Sequence, residues 1–172
     1  MPSGEVHDKT TIAGAALAAP ACFYLTPSLS HDPTVVAALV GAVLFSGLML
    51  SPDLDLNSAP YHRWGLFRHL WWPYQKILRH RSPLSHSYLV GPTLRIAYFL
   101  FVVWAAFRAA TWALTYVVAF DRNTLSVRYT DSFLAFWQAH PRHLAAVAAR
   151  LFLGTALHVT ADLVVTGFKR RL

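Results

Sequence analysis

"PTVVAALVGAVLFSGLMLSPDLDL", residues 33–56, passes through twenty positions without a charge and then places two aspartates within three. An uncharged apolar stretch of that length is what a membrane-crossing helix requires. Pro33 suits a first helical position, with Asp32 ahead of it. After Pro52, the alternation of Asp53 and Asp55 with Leu54 and Leu56 predicts an extended segment whose two carboxylates point one way. Like charges so close repel, and a divalent cation between them relieves the repulsion. The plain alternative is a helix stop with solvated carboxylates.

Composition extends the membrane reading outward. The chain of 172 residues is 55% hydrophobic and 14% aromatic but only 13% charged, with mean hydropathy +0.38; soluble domains carry about 25% charged residues. The predicted fold is all-α, a polytopic membrane bundle in one domain spanning residues 1–172. Four apolar stretches supply the spans: 10–26 with Pro20 inside it, 33–50, 84–119 interrupted only by Arg95 and Arg108, and 143–168. The third would be about 50 Å long as one helix, against a bilayer core of about 30 Å. It is therefore one tilted helix or two shorter pieces, which would make five. Residues 121–142 are polar and mixed in sign, and a loop is expected there.

The net charge of +7 is concentrated in 62–81 and in the terminal "KRRL". Arg63, Arg68, Lys76, Arg79 and Arg81 alternate with Trp64, Phe67, Trp71, Trp72 and Tyr74. Basic and aromatic residues together predict an interfacial segment lying on anionic lipid, and no nucleic-acid module accompanies the charge. The positive-inside rule then puts both basic regions, and both termini, on the cytoplasmic side of the inner membrane. The opening "MPSGEVHDK" lacks the basic flank of a secretory signal. A single cysteine, Cys22, rules out an internal disulfide framework and a cysteine-based zinc knuckle.

In this topology seven groups fall toward one end: His7, Asp53, Asp55, His80, His86, His158 and Asp162. His158 and Asp162 are spaced i, i+4 and share a helix face about 6 Å apart along the axis. An ionisable pair in an apolar span is costly and by default functional, the bland alternative being a lock between helices. In "RHRSPLSHS", 79–87, Ser82 is the expected N-cap and Pro83 the first turn of span three, with His86 in that helix. Arg79 and Arg81 suit phosphate recognition, on a substrate or a lipid headgroup. His31, His140 and His143 lie at the far end, and His62 and His69 in the interfacial loop.

Seven candidates exceed the four ligands of a tetrahedral zinc, so two bridged ions or one ion with outer partners is expected. Nitrogen and carboxylate donors suit a divalent transition metal, zinc first, with manganese or iron as alternatives. Such an ion supplies hydroxide at neutral pH, and arginines offset charge on a phosphoryl oxygen. The expected activity is metal-dependent hydrolysis of a phosphate ester or lipid-like substrate at the cytoplasmic face, with Asp55, His86 and Arg81 as the catalytic groups.

"SGEVHD", "SPDLDL", "RWGLFRHLWWPY", "RHRSPLSHS" and "LHVTAD" together resemble a family of predicted metal-binding bacterial membrane proteins. That family is in turn similar to the YdjM-like inner-membrane metal-dependent hydrolases. The resemblance implies metal binding through His7, Asp53, Asp55, His80, His86, His158 and Asp162. "HRSPLSH" is one residue longer between its histidines than the related pattern, so His80 and His86 serve one ion or two. Two other readings remain. A metal-free lipid phosphatase of the phosphatidic-acid phosphatase type would use Lys76, Arg81, "LSH", Arg150 and "HVTAD", at imperfect spacings. A non-catalytic scaffold or partner platform would use the metal only to staple helices.

Overall fold

The computed structural model describes residues 4–25, 32–80, 82, 84–117 and 122–169, and the regular secondary structure among them is helical, with no β-strand. Three helices form the core: α1 (Gly4–Leu25), α2 (Pro33–Leu48) and, from the far end of the chain, α7 (Pro141–Lys169). Asp32 caps α2 as expected, its carboxylate accepting from Thr34 N at 2.8 Å.

Small residues set how closely these helices approach. A Cβ on Gly154 of α7 would lie 2.6 Å from the Val43 carbonyl oxygen and 2.9 Å from Gly47 N, so two backbones pass where no side chain fits. Beside that crossing, Ser46 Oγ donates to the Leu151 carbonyl and lies 3.3 Å from Thr155 Oγ1. Ala15 and Ala18 of α1 bury against Val43 on the other side of α2. Close backbone approach through Gly, Ala, Ser and Thr is a recurrent way for apolar helices to pack.

Three described helical stretches are long and apolar enough to cross a membrane: Pro33–Asp55, Val90–Tyr116 and Pro141–Thr166. The expected first span falls in α1, which is not one of the three and begins further upstream. Its opening turns hold Glu5, His7, Asp8 and Lys9, so His7 sits on the helix rather than before it. The run 84–119 contains one unbroken helix, α5 (Val90–Val117), about 42 Å long.

The loop expected over 121–142 is corrected: Arg122–Ala139 form a helix, α6, linked to α7 through His140. Residues 122–139 are polar and mixed in charge but contain neither glycine nor proline, so nothing breaks a helix before Pro141.

The aromatic and basic segment folds into short pieces: α3 (Ala59–Arg63), a 3-10 stretch (Gly65–Trp71) and α4 (Trp72–Ile77), turning at Gly65 with φ +55°. Trp71, Tyr74 and Leu78 turn inward onto Leu50 and Leu54, ringed by Trp64, Tyr98 and Phe99. Leu66, Phe67, Trp72 and Ile77 face outward. This cap covers the end of α2 where the aspartates stand.

Candidate metal centre

The chain leaves α2 through Ser51 and a 3-10 turn, Pro52–Asp55, where an extended strand was expected. The extended reading is therefore corrected. With three residues per turn, Asp53 and Asp55 do not share a face. Leu54 between them is fully buried in the aromatic cap, and burying it orients both carboxylates. The turn is pinned from outside: Gln75 Nε2 donates to the Leu54 and Leu56 carbonyls, each at 3.0 Å, and Ser58 Oγ donates to the Asp53 carbonyl at 2.6 Å.

The segment carrying His80 and His86 also differs from expectation. Ser82 closes a turn, its carbonyl accepting from Ser85 N and His86 N, both at 3.0 Å, and α5 starts only at Val90. Ser87 Oγ accepts from Gly91 N at 2.8 Å and does the capping assigned to Ser82. His86 thus lies on a non-helical strand before α5. Pro83 and Arg81 fall outside the described residues, as do Arg170 and Arg171 of the basic tail.

Six side chains from four segments meet here. His158 Nε2 lies 3.6 Å from Asp53 Oδ1 and 3.6 Å from Asp162 Oδ2. His86 Nε2 lies 3.6 Å from Asp162 Oδ2 and 4.0 Å from Asp53 Oδ1. His7 Nε2 lies 3.4 Å from Asp162 Oδ1, and its ring stacks on His158 at 3.7 Å between centroids. Three overlapping groups could each hold an ion: His7, Asp53 and His158; Asp53, His80 and His86; His86, His158 and Asp162.

Most of these separations exceed hydrogen-bond reach, and four of the imidazole nitrogens are left unsatisfied. His80, His86 and His158 all bury Nε2 without a hydrogen-bond partner, and His7 does so with Nδ1. Orphaned buried donors and acceptors are costly unless something else fills their valence. Two ligands about 2.1 Å from one tetrahedral ion stand about 3.4 Å apart, close to several of the spacings seen here. The donor set fits a divalent transition metal.

Each imidazole is turned by its other nitrogen. Asp55 Oδ1 accepts from His80 Nδ1 at 2.7 Å, which leaves the lone pair on Nε2 facing Asp53 and His86. Ser85 Oγ lies 2.9 Å from His86 Nδ1, and Ser51 Oγ 3.2 Å from His158 Nδ1. This is the arrangement by which outer partners fix the tautomer of a metal-binding histidine. Burial pushes His86 below the ordinary imidazole value, keeping it neutral and able to ligate near pH 7.

Asp55 belongs to none of the three groups; its described contact is with His80. Reading "SPDLDL" and "RHRSPLSHS" for their charged groups missed Ser51 and Ser85, both fully buried beside site histidines. His62 is engaged elsewhere, its Nδ1 lying 3.3 Å from Arg68, and His140 and His143 lie at the opposite end of α7.

The described molecule is thus an all-helical protein with a polar His/Asp centre where helices and loops converge at one end of its core. The chain belongs to the uncharacterized metal-binding protein family DUF2227, whose model matches residues 2–172. A protein described only as uncharacterized, from Aquifex aeolicus (strain VF5), is 33% identical over 75 residues, 43% of this chain. The chain spans about half the length of that curated relative, 49% of it being covered. No solved structure matches the chain significantly.

Proposed function

We propose that the protein is a membrane-embedded metal-dependent hydrolase that acts on a phosphate ester or lipid-like substrate at the cytoplasmic membrane face. One observation carries this reading: the donor set is closed behind and open in front. His7 and His158 form the back wall, with side chains 7% and 1% exposed, whereas Asp53, His80, His86 and Asp162 keep 14–22%. A structural ion is sealed by its ligands, and a catalytic one keeps a position for water. When bound there, the ion supplies a hydroxide at neutral pH and a Lewis acid for the phosphoryl oxygen. His7, Asp53, His80, His86, His158 and Asp162 would hold it, with zinc fitting this nitrogen and oxygen set.

The chain's own residues supply the rest. Asp55 holds the proton on His80 Nδ1, and Ser85 and Ser51 orient His86 and His158. Arg79, exposed beside His80, is placed to meet an anionic group arriving from the membrane surface.

The membrane placement belongs to this proposal. α1, α2, α5 and α7 form the spans, the outward Leu66, Phe67, Trp72 and Ile77 enter the interface, and both termini are cytoplasmic. A metal-free phosphatase is disfavoured by Lys76, whose ammonium lies 5.5 Å from the Trp72 ring centroid. A non-catalytic staple would draw on the same ligands, because they come from both halves of the chain.

A phosphoesterase screen on detergent-purified protein, with and without chelator, separates these readings. Chelator-sensitive turnover that zinc restores is the expected result. Stoichiometric metal with no turnover on any phosphate ester would favour the staple, and turnover indifferent to chelator the metal-free phosphatase.

A further inference from the structure

Arg95 stands in the apolar interior with no exposed surface, on the second turn of α5. A guanidinium in such surroundings is expensive unless it is paired and hydrogen-bonded. Its Nη1 donates to the Ser85 carbonyl at 2.9 Å, and its Nη2 reaches Thr155 Oγ1 at 3.4 Å. Both contacts lie one step from a metal-ligand candidate. Ser85 precedes His86 and touches its Nδ1, while Thr155 is one helical turn before His158. The charge of Arg95 is also felt by Tyr74, Asp55 and Asp53.

The helix is shaped to permit this. A Cβ on Gly91 would lie 2.5 Å from the Ser85 carbonyl oxygen and 3.4 Å from Arg95 Nη1. Only a glycine lets the first turn of α5 come close enough for Arg95, one turn further on, to hold that carbonyl.

We propose that Arg95 is the positioning residue of the metal centre: from within α5 it ties the Ser85–His86 strand to α7 and so holds His86 Nε2 toward Asp53 and Asp162. The inference rests on the metal reading above. His86 sits outside any helix and needs an external tether to keep a ligand geometry, because a non-helical strand has no intrahelical bonds to hold it.

The test is a cobalt titration of detergent-purified protein, following the visible d–d band as a report on ligand geometry. Arg95→Met is expected to bind cobalt about tenfold or more weakly, within the range seen when outer partners of a metal site are removed, with an altered band. Arg95→Lys, which keeps the charge without the planar fork, should recover part of the affinity but not the wild-type band. Wild-type affinity and band in Arg95→Met, with only the unfolding temperature changed, would make Arg95 a packing residue and overturn the inference. Where Arg95→Met does not fold, Gly91→Ala decides: it keeps every ligand residue and displaces the Ser85–His86 segment, so a shifted band is expected and an unchanged one overturns the inference. Failure of the wild type to take up stoichiometric cobalt would instead remove the metal reading itself.

Discussion

The two ends of the helical core both carry histidines and an aspartate, and they use them differently. At one end, Asp32 spends its carboxylate on Thr34, accepting from the backbone N at 2.8 Å and from Oγ1 at 2.6 Å. His140 and His143 lie near it at the surface, their rings 5.4 Å apart, and no metal-holding group forms there among the described residues. At the other end His7 and His158 are buried, and His80, His86 and His158 each bury an unsatisfied Nε2 beside Asp53 or Asp162. Spacing is similar at both: His140 and His143 are i, i+3, and His158 and Asp162 are i, i+4. The difference is whether solvent can satisfy the lone pairs. Where it cannot, the fold tolerates the cost only if something else is bound.

The contrast is broken most severely at Asp53, which belongs to two of the three overlapping groups. Asp53→Asn should lower metal content, measured by elemental spectrometry, from stoichiometric to background; retention of the metal would take Asp53 out of the site. Chelation should lower the unfolding temperature of the wild type and leave that of Asp53→Asn unmoved, because a ligand stabilises only what binds it. Asp55→Asn addresses an outer partner. It removes the carboxylate that holds the His80 proton, and affinity should fall about 10- to 100-fold with the site still assembled. Wild-type affinity there would mean that His80 orients itself or does not ligate.

A change at the crossing of α2 and α7 separates packing from chemistry. Gly154→Ala forces a Cβ against the Val43 carbonyl and should destabilise the fold by about 1–3 kcal/mol. Folded protein should still carry its metal, and selective metal loss would show that the crossing of α2 and α7 also sets ligand geometry. The smallest effect belongs to the far end. His140→Ala and His143→Ala should leave metal content unchanged and shift stability by no more than about 0.5 kcal/mol. Metal loss in either would erase the distinction between the two ends.

Much of the centre was legible in the chain because its chemistry is conspicuous. His158 and Asp162 announce themselves as ionisable groups in an apolar run, and "SPDLDL" as paired carboxylates at the end of another. The local geometry was less legible. The alternation in 53–56 matches a strand, yet burying Leu54 under Trp71 and Tyr74 winds it into a 3-10 turn. Ser82 and Pro83 are a sound helix start by composition, yet Ser82 closes its own turn and the helix waits for Val90. Arg95 was visible only as an interruption in an apolar stretch, although a buried ionisable group there is a functional candidate on physical grounds.

The sequence by itself determined the class of molecule: long uncharged runs make helices, and a histidine and aspartate set without usable cysteines calls for a hard or borderline divalent ion. Tertiary structure alone decided which of those residues meet and which nitrogen each presents. His7 and His158 are separated by most of the chain, and only the packing of α1 against α7 stacks their rings. Asp55 and Asp53 are two residues apart, and only the turn that buries Leu54 sends one to His80 and the other to His158. Ligation depends on distances of a few ångströms, which helix crossings and buried side chains set and which spacing along a chain does not carry.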